Sequence, residues 1–143
     1  MSNRVFVAYG IGLNRSEMAK HCPTARPLGT TVLKNFKLAF RGGNASAVAT
    51  IEKTKGHSVP AIIWEITPQD EAAFDRWIGV PELYRKAAIK VHHNGFLVDA
   101  LVYILVNDKP QNKPSAFYYS KLLEGYRAAG FDTEILKVAT EGE

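Results

Sequence analysis

A single cysteine, Cys22, rules out an internal disulfide, and a scaffold held by disulfides with it. Reducing conditions and a cytoplasmic location are the corresponding expectation. His21 stands next to Cys22, but neighbouring residues rarely converge on one point, so Cys22 reads as a buried structural thiol. Long apolar runs are also missing. The longest, Leu97 to Val106, is interrupted by Asp99 and suits a strand rather than a membrane span. The first ten residues, MSNRVFVAYG, have neither the apolar stretch nor the cleavage site of a signal peptide. Repeats, low-complexity tracts and linkers are lacking, which points to one domain over residues 1–143. Lysine and arginine exceed aspartate and glutamate by four, yet they are scattered from Arg4 to Lys137 without forming a run. That distribution gives no support for nucleic-acid or membrane partners and only a weak preference for anions. His57, His92 and His93 have no Cys or His at ligand spacing, so no metal and no cofactor is expected.

What is present alternates strand and helix signals. Val5 to Tyr9 is β-branched and aromatic, and Gly10 and Gly12 break it before Asn14-Arg15-Ser16-Glu17 starts a short helix. Thr31–Phe40, Val48–Ile51 and Ala61–Ile66 read as strands separated by Gly42-Gly43-Asn44 and Lys55-Gly56-His57 turns. Thr67 can cap a helix that has Pro68 in its first position, Asp70 and Glu71 at its positive end, and Gly79 as its stop. Tyr84–His92 and Phe96–Val106 form a hairpin at Asn94-Gly95, both of which tolerate positive φ. Residues 115–129 are helical, with Tyr119, Leu122, Leu123 and Tyr126 on one stripe, and Asp132 caps a final short helix. The order of elements predicts an α+β domain, with a small mixed β-barrel as the expected closed form.

Six motifs in order carry a resemblance. They are Tyr9-Gly10 with Leu13-Asn14, His21-Cys22-Pro23 with Ala25, and Ala49-Thr50-Ile51, then Trp64-Glu65-Ile66-Thr67-Pro68 with Asp70, Asp75 with Gly79, Pro81 and Tyr84, and Pro114-Ser115 with Tyr118-Tyr119 and Gly125-Tyr126. From Val5 to Leu136 the chain resembles the γ-glutamylcyclotransferase-like superfamily, which takes in the AIG2-like proteins. The resemblance implies a small mixed β-barrel with flanking helices and one small-molecule cavity. It also implies a cofactor-free reaction, in which an α-amino group attacks the γ-amide carbonyl of the same substrate and releases an amine and 5-oxoproline. Such a reaction gains much of its rate from positioning, and it needs a group to move the proton.

In the family that group is a glutamate in the pattern D-x-x-E-G, and the first turn reads Y-G-S-N-L. Here Asp75-Arg76-Trp77-Ile78-Gly79 places Ile78 at the glutamate position, while Ile11 and Gly12 replace the serine and asparagine. The resemblance therefore implies a cavity without its acid/base and inactive as a cyclotransferase. It would be walled by Ile11 and Ile78, widened at Gly12, and lined by Tyr9, Gly10, Leu13, Tyr84, Tyr118 and Tyr119. The expected function is non-catalytic binding of a small anionic metabolite, a nucleotide-like molecule being one candidate. The alternative is an active γ-glutamyl-amine cyclotransferase or related amide lyase using a relocated carboxylate. Glu82 is the first candidate for that role, ahead of Glu65 and Asp75. A homodimer paired through a strand edge is one arrangement of the chain.

Overall fold

The computed structural model describes residues 3–106 and 108–142. Five strands and four helices follow in the order β1 (Arg4–Ala8), α1 (Arg15–His21), β2 (Arg26–Arg41), β3 (Val48–Ile66), α2 (Pro68–Ile78), β4 (Tyr84–His93), β5 (Phe96–Leu105), α3 (Ala116–Ala129) and α4 (Glu134–Glu141). A 3-10 turn, Ile11–Leu13, joins β1 to α1. The strands make one sheet in the order β2-β3-β1-β5-β4. Every pairing is antiparallel except that of β1 with β5, where Phe6 lies beside Leu101.

The α+β class is as the sequence predicts, but the sheet is not closed into a barrel. Closure requires a hydrogen-bonded ladder between the outer strands, β2 and β4. Among the described residues they meet at a side chain instead: Thr31 Oγ1 donates to the His92 carbonyl at 3.0 Å. The outer strand β4 also carries exposed Arg85, Lys86 and Lys90, charges of the kind that keep an edge solvated rather than paired.

A second difference lies in β3. The Lys55-Gly56-His57 signal marks not a turn between two strands but a bulge within one strand. Partners jump from Lys34 with Ser58 to Phe36 with Lys53, and the chain then resumes pairing with the same neighbour. Asn35 in β2 makes this geometry hold: it adopts a positive φ of 64°, and its Oδ1 accepts a hydrogen bond from Gly56 N. The Asn94-Gly95 hairpin is a two-residue turn between His93 and Phe96, with both turn residues at positive φ.

Helix α2 is fixed by local chemistry. Thr67 Oγ1 accepts from Asp70 N, and Asp70 Oδ2 accepts from Thr67 N, so two orphan donors are satisfied reciprocally. Gly79 ends the helix in the left-handed conformation. Phe74 on its inner face packs on Phe6 of β1 and Tyr103 of β5, with ring centroids 4.8 and 5.1 Å away. Cys22 is buried, with its thiol directed at the Asp70 carbonyl 3.4 Å away, and burial pushes its pKa up to about 11. A thiol in that state is inert packing, as the sequence suggests.

Asp70 itself is 2% exposed. Burial pushes its pKa up, but hydrogen bonds from Thr24 and Thr67 outweigh this and hold it below the ordinary aspartate value. A depressed carboxylate pKa stabilises the fold above the unfolded-state value, near 3.9, and that stabilisation is lost as pH falls through the lower folded value. Asp70→Asn should therefore cost about 1–3 kcal/mol at pH 7. Urea midpoints measured from pH 7 to pH 2.5 should show the gap to the parent protein closing at the acid end.

Candidate functional site

The site is built on the first turn. After β1, Tyr9 is buried and its hydroxyl donates to the Tyr103 carbonyl at 2.6 Å. Leu13 N donates to Gly10 O at 2.9 Å and closes the turn, while Trp64 Nε1 donates to Gly12 O at 3.0 Å and pins it to β3. The N–H groups at the start of such a turn have no partner within it and face outward. Gly12 is a glycine for reasons of packing: a Cβ there would lie 2.8 Å from Ala8 Cβ. The residue therefore does not widen the cavity as expected, since its missing side chain makes room for β1.

From the opposite side Tyr84 and Tyr118 grip one residue of β3. Tyr84 Oη donates to the Ala49 carbonyl at 2.5 Å, and Ala49 N donates to Tyr118 Oη at 3.1 Å. Desolvation raises the pKa of both tyrosines, that of Tyr118 to about 12 and that of Tyr84 well above its ordinary value. Tyr9 and Tyr103 are shifted upward for the same first reason. Near neutral pH these four hydroxyls keep their protons and can act as hydrogen-bond donors, not as bases.

Between turn, tyrosines and α2 lies an inner cavity with about 30 Å³ of free volume, room for a water or two. Tyr9, Gly10, Ile11, Gly12, Ile78, Tyr84 and Tyr118 line it. Phe6, Val7, Ala8, Ala49, Phe74 and Tyr103 complete the wall. Outside it opens a cleft of about 270 Å³ that shares Ile11, Ile78, Tyr84 and Tyr118 with the cavity. These four side chains border both spaces. The rest of the cleft lining is Val48, Trp77, Leu83 and Phe117, with Glu17 and Lys121 as its charged members.

Two expected lining residues lie elsewhere. Leu13 is fully buried, with α3 packed directly upon it at Gly125. Tyr119 is one residue round α3 from Tyr118 and so faces β2, where its ring lies 6.4 Å from Phe40. None of the three carboxylates considered as replacements reaches the cavity. Glu82 is exposed in the turn after α2, because Gly79 has already ended the helix. Glu65 pairs with Arg26 on the outer surface. Asp75 braces the fold, accepting from Tyr103 Oη at 2.6 Å and pairing with Lys86 at 2.6 Å.

The carboxylate that does line the cleft, Glu17, escaped the sequence reading. It lies on α1 and meets Lys121 of α3 only in three dimensions, so no local pattern announces it. Its side chain is 14% exposed. A hydrogen bond from Lys20 and a weaker one from Lys121 outweigh burial and hold its pKa below the ordinary glutamate value. Among the described residues no cluster of His, Cys, Asp and Glu could hold a metal ion, and no helix is long and apolar enough to cross a membrane.

Comparison with known proteins places this architecture. No curated protein matches the chain by sequence. Among solved structures, a gamma-glutamyl cyclotransferase superposes with a TM-score of 0.83 at 21% identity, over 96% of this chain and 86% of that one. An uncharacterized protein from Homo sapiens superposes with a TM-score of 0.83, also at 21% identity, over 97% and 87% of the two chains. YkqA from Bacillus subtilis gives 0.82 at 17% identity, over 99% of this chain and 54% of that one. At such identities the likeness is one of fold. The model of the AIG2-like family matches residues 58–137, a stretch running from the second half of β3 into α4. The chain belongs to the AIG2-like family and shares the fold of a gamma-glutamyl cyclotransferase.

Proposed function

We propose that this protein binds a small metabolite at the cyclotransferase site without carrying out the cyclotransferase reaction. One observation carries the reading: among the described residues no carboxylate or histidine lines the inner cavity, and Ile78 is part of its wall. The family pattern puts a glutamate where Ile78 stands. An aliphatic group there cannot take the proton from an attacking amine or return it to the departing one. Turnover through Glu82 would require an exposed side chain to leave its turn and reach a cavity that it does not line. Glu17 is nearer, but a carboxylate held ionised by two lysines is a weak base.

The ligand occupies the outer cleft, because the inner cavity alone holds no more than solvent. Its apolar or planar body lies against Ile11 and Ile78, within reach of the Tyr118 hydroxyl, whose oxygen accepts from Ala49 and leaves its proton to donate. A carboxylate or phosphate on that body suits Lys121 at the edge of the cleft. A thermal-shift screen of anionic metabolites, mononucleotides included, tests the reading. A ligand present at 100 times its dissociation constant should add about 2.7 kcal/mol to stability. Absence of any stabilising compound across carboxylates and phosphates of this size would count against it.

A further inference from the structure

Lys121 stands out among the charged groups of the molecule. Its side chain is 24% exposed and lies along the edge of the outer cleft. Its partner Glu17 lies 3.4 Å away, beyond the 2.7–2.9 Å of a good charge-assisted hydrogen bond. The same Glu17 oxygen is already taken by Lys20 at 3.2 Å. On the other side Lys121 Nζ sits 5.2 Å from the centre of the Phe117 ring, a cation–π contact that supplies no acceptor atom. An ammonium has three donors, and with one loose acceptor among the described residues Lys121 has hydrogen bonds to spare. The ring beside it, Phe117, is 73% exposed and lines the same cleft.

We propose that Lys121 receives the anionic group of a ligand whose flat apolar body lies in the outer cleft between Trp77 and Phe117. The inference rests on the ligand-binding reading above and deepens it by naming the chemistry of the ligand. Glu17 is then an internal competitor: it holds Lys121 over the cleft and gives it up when a better-placed anion arrives. His21 stacks on Trp77 at 3.8 Å and so fixes the indole at the cleft.

The test is a calorimetric titration with four probes of similar size: phenylacetate, phenyl phosphate, benzyl alcohol and benzylamine. At least one anion should bind tenfold or more tightly than benzyl alcohol, and benzylamine should bind no better than the alcohol. Lys121→Gln, which keeps most of the aliphatic stem, should bring the anion down to the level of the alcohol. Glu17→Gln removes the competitor and should tighten the anion severalfold. The tighter of the two anions tells a carboxylate ligand from a phosphate. Anions no tighter than the alcohol, or unaffected by Lys121→Gln in a protein of unchanged circular dichroism, would overturn the assignment while leaving the cleft a binding site. If none of the four probes binds, the cleft is not a receptor for aromatic bodies and this inference falls. The metabolite screen judges the wider reading separately.

Discussion

Gly125→Ala should destabilise the protein by about 2 kcal/mol or more, although helix propensity alone makes alanine the better residue by about 1 kcal/mol. Gly125 lies in α3, where a Cβ would come within 2.8 Å of the Leu13 carbonyl carbon, carbonyl oxygen and Cβ. Two of those three are tied to main chain that cannot easily yield. Leu13 N is bonded to Gly10 O, and the carbonyl of neighbouring Gly12 holds the Trp64 indole. Asn14, next along, caps α1 by accepting from Glu17 N and also donates to the Lys121 carbonyl of α3. The methyl group must therefore lift α3, drawing Tyr118 away from Ala49 and disturbing the wall of the cavity. Urea denaturation measures the cost. A neutral or stabilising result would mean that the contact between α3 and the first turn is looser than described.

The second large effect concerns the reaction itself. Loss of a general acid/base forfeits roughly 10²- to 10⁴-fold in rate, or about 3–5 kcal/mol of barrier. Tyrosine hydroxyls with raised pKa values do not replace it, because near pH 7 they are poor bases. On the proposed reading, Ile78→Glu, which puts a carboxylate on the cavity wall, together with Ile11→Ser for a hydroxyl in the first turn, should give measurable cyclotransferase turnover. Gly12 is best left unchanged in such a variant, since any side chain there meets Ala8.

The parts of this structure that could be read from sequence are those specified locally. Thr67, Pro68 and Asp70 encode the start of α2 within four residues, and Asn94-Gly95 encodes a hairpin within two. Tyr9, Gly10 and Ile78 could be located at the site because a family pattern supplied the long-range information. Features made by distant segments were not legible. The continuity of β3 through Gly56 depends on Asn35 in another strand, and the open sheet depends on what β2 and β4 fail to do with each other. Tyr103, in an alternating strand, lines the cavity through the pairing of β5 with β1. Glu17 and Lys121 are a hundred residues apart and share a cleft only because Gly125 lets α3 rest on the first turn.

One assay goes straight to the question of whether this cavity can move a proton: release of 5-oxoproline from a γ-glutamyl amine, followed for the unaltered protein and the Ile78→Glu, Ile11→Ser variant together. The unaltered protein should be indistinguishable from the protein-free blank, and the variant should rise above it. Turnover by the unaltered protein, or silence from a folded variant, would contradict the placing of an inert side chain where the chemistry requires a carboxylate.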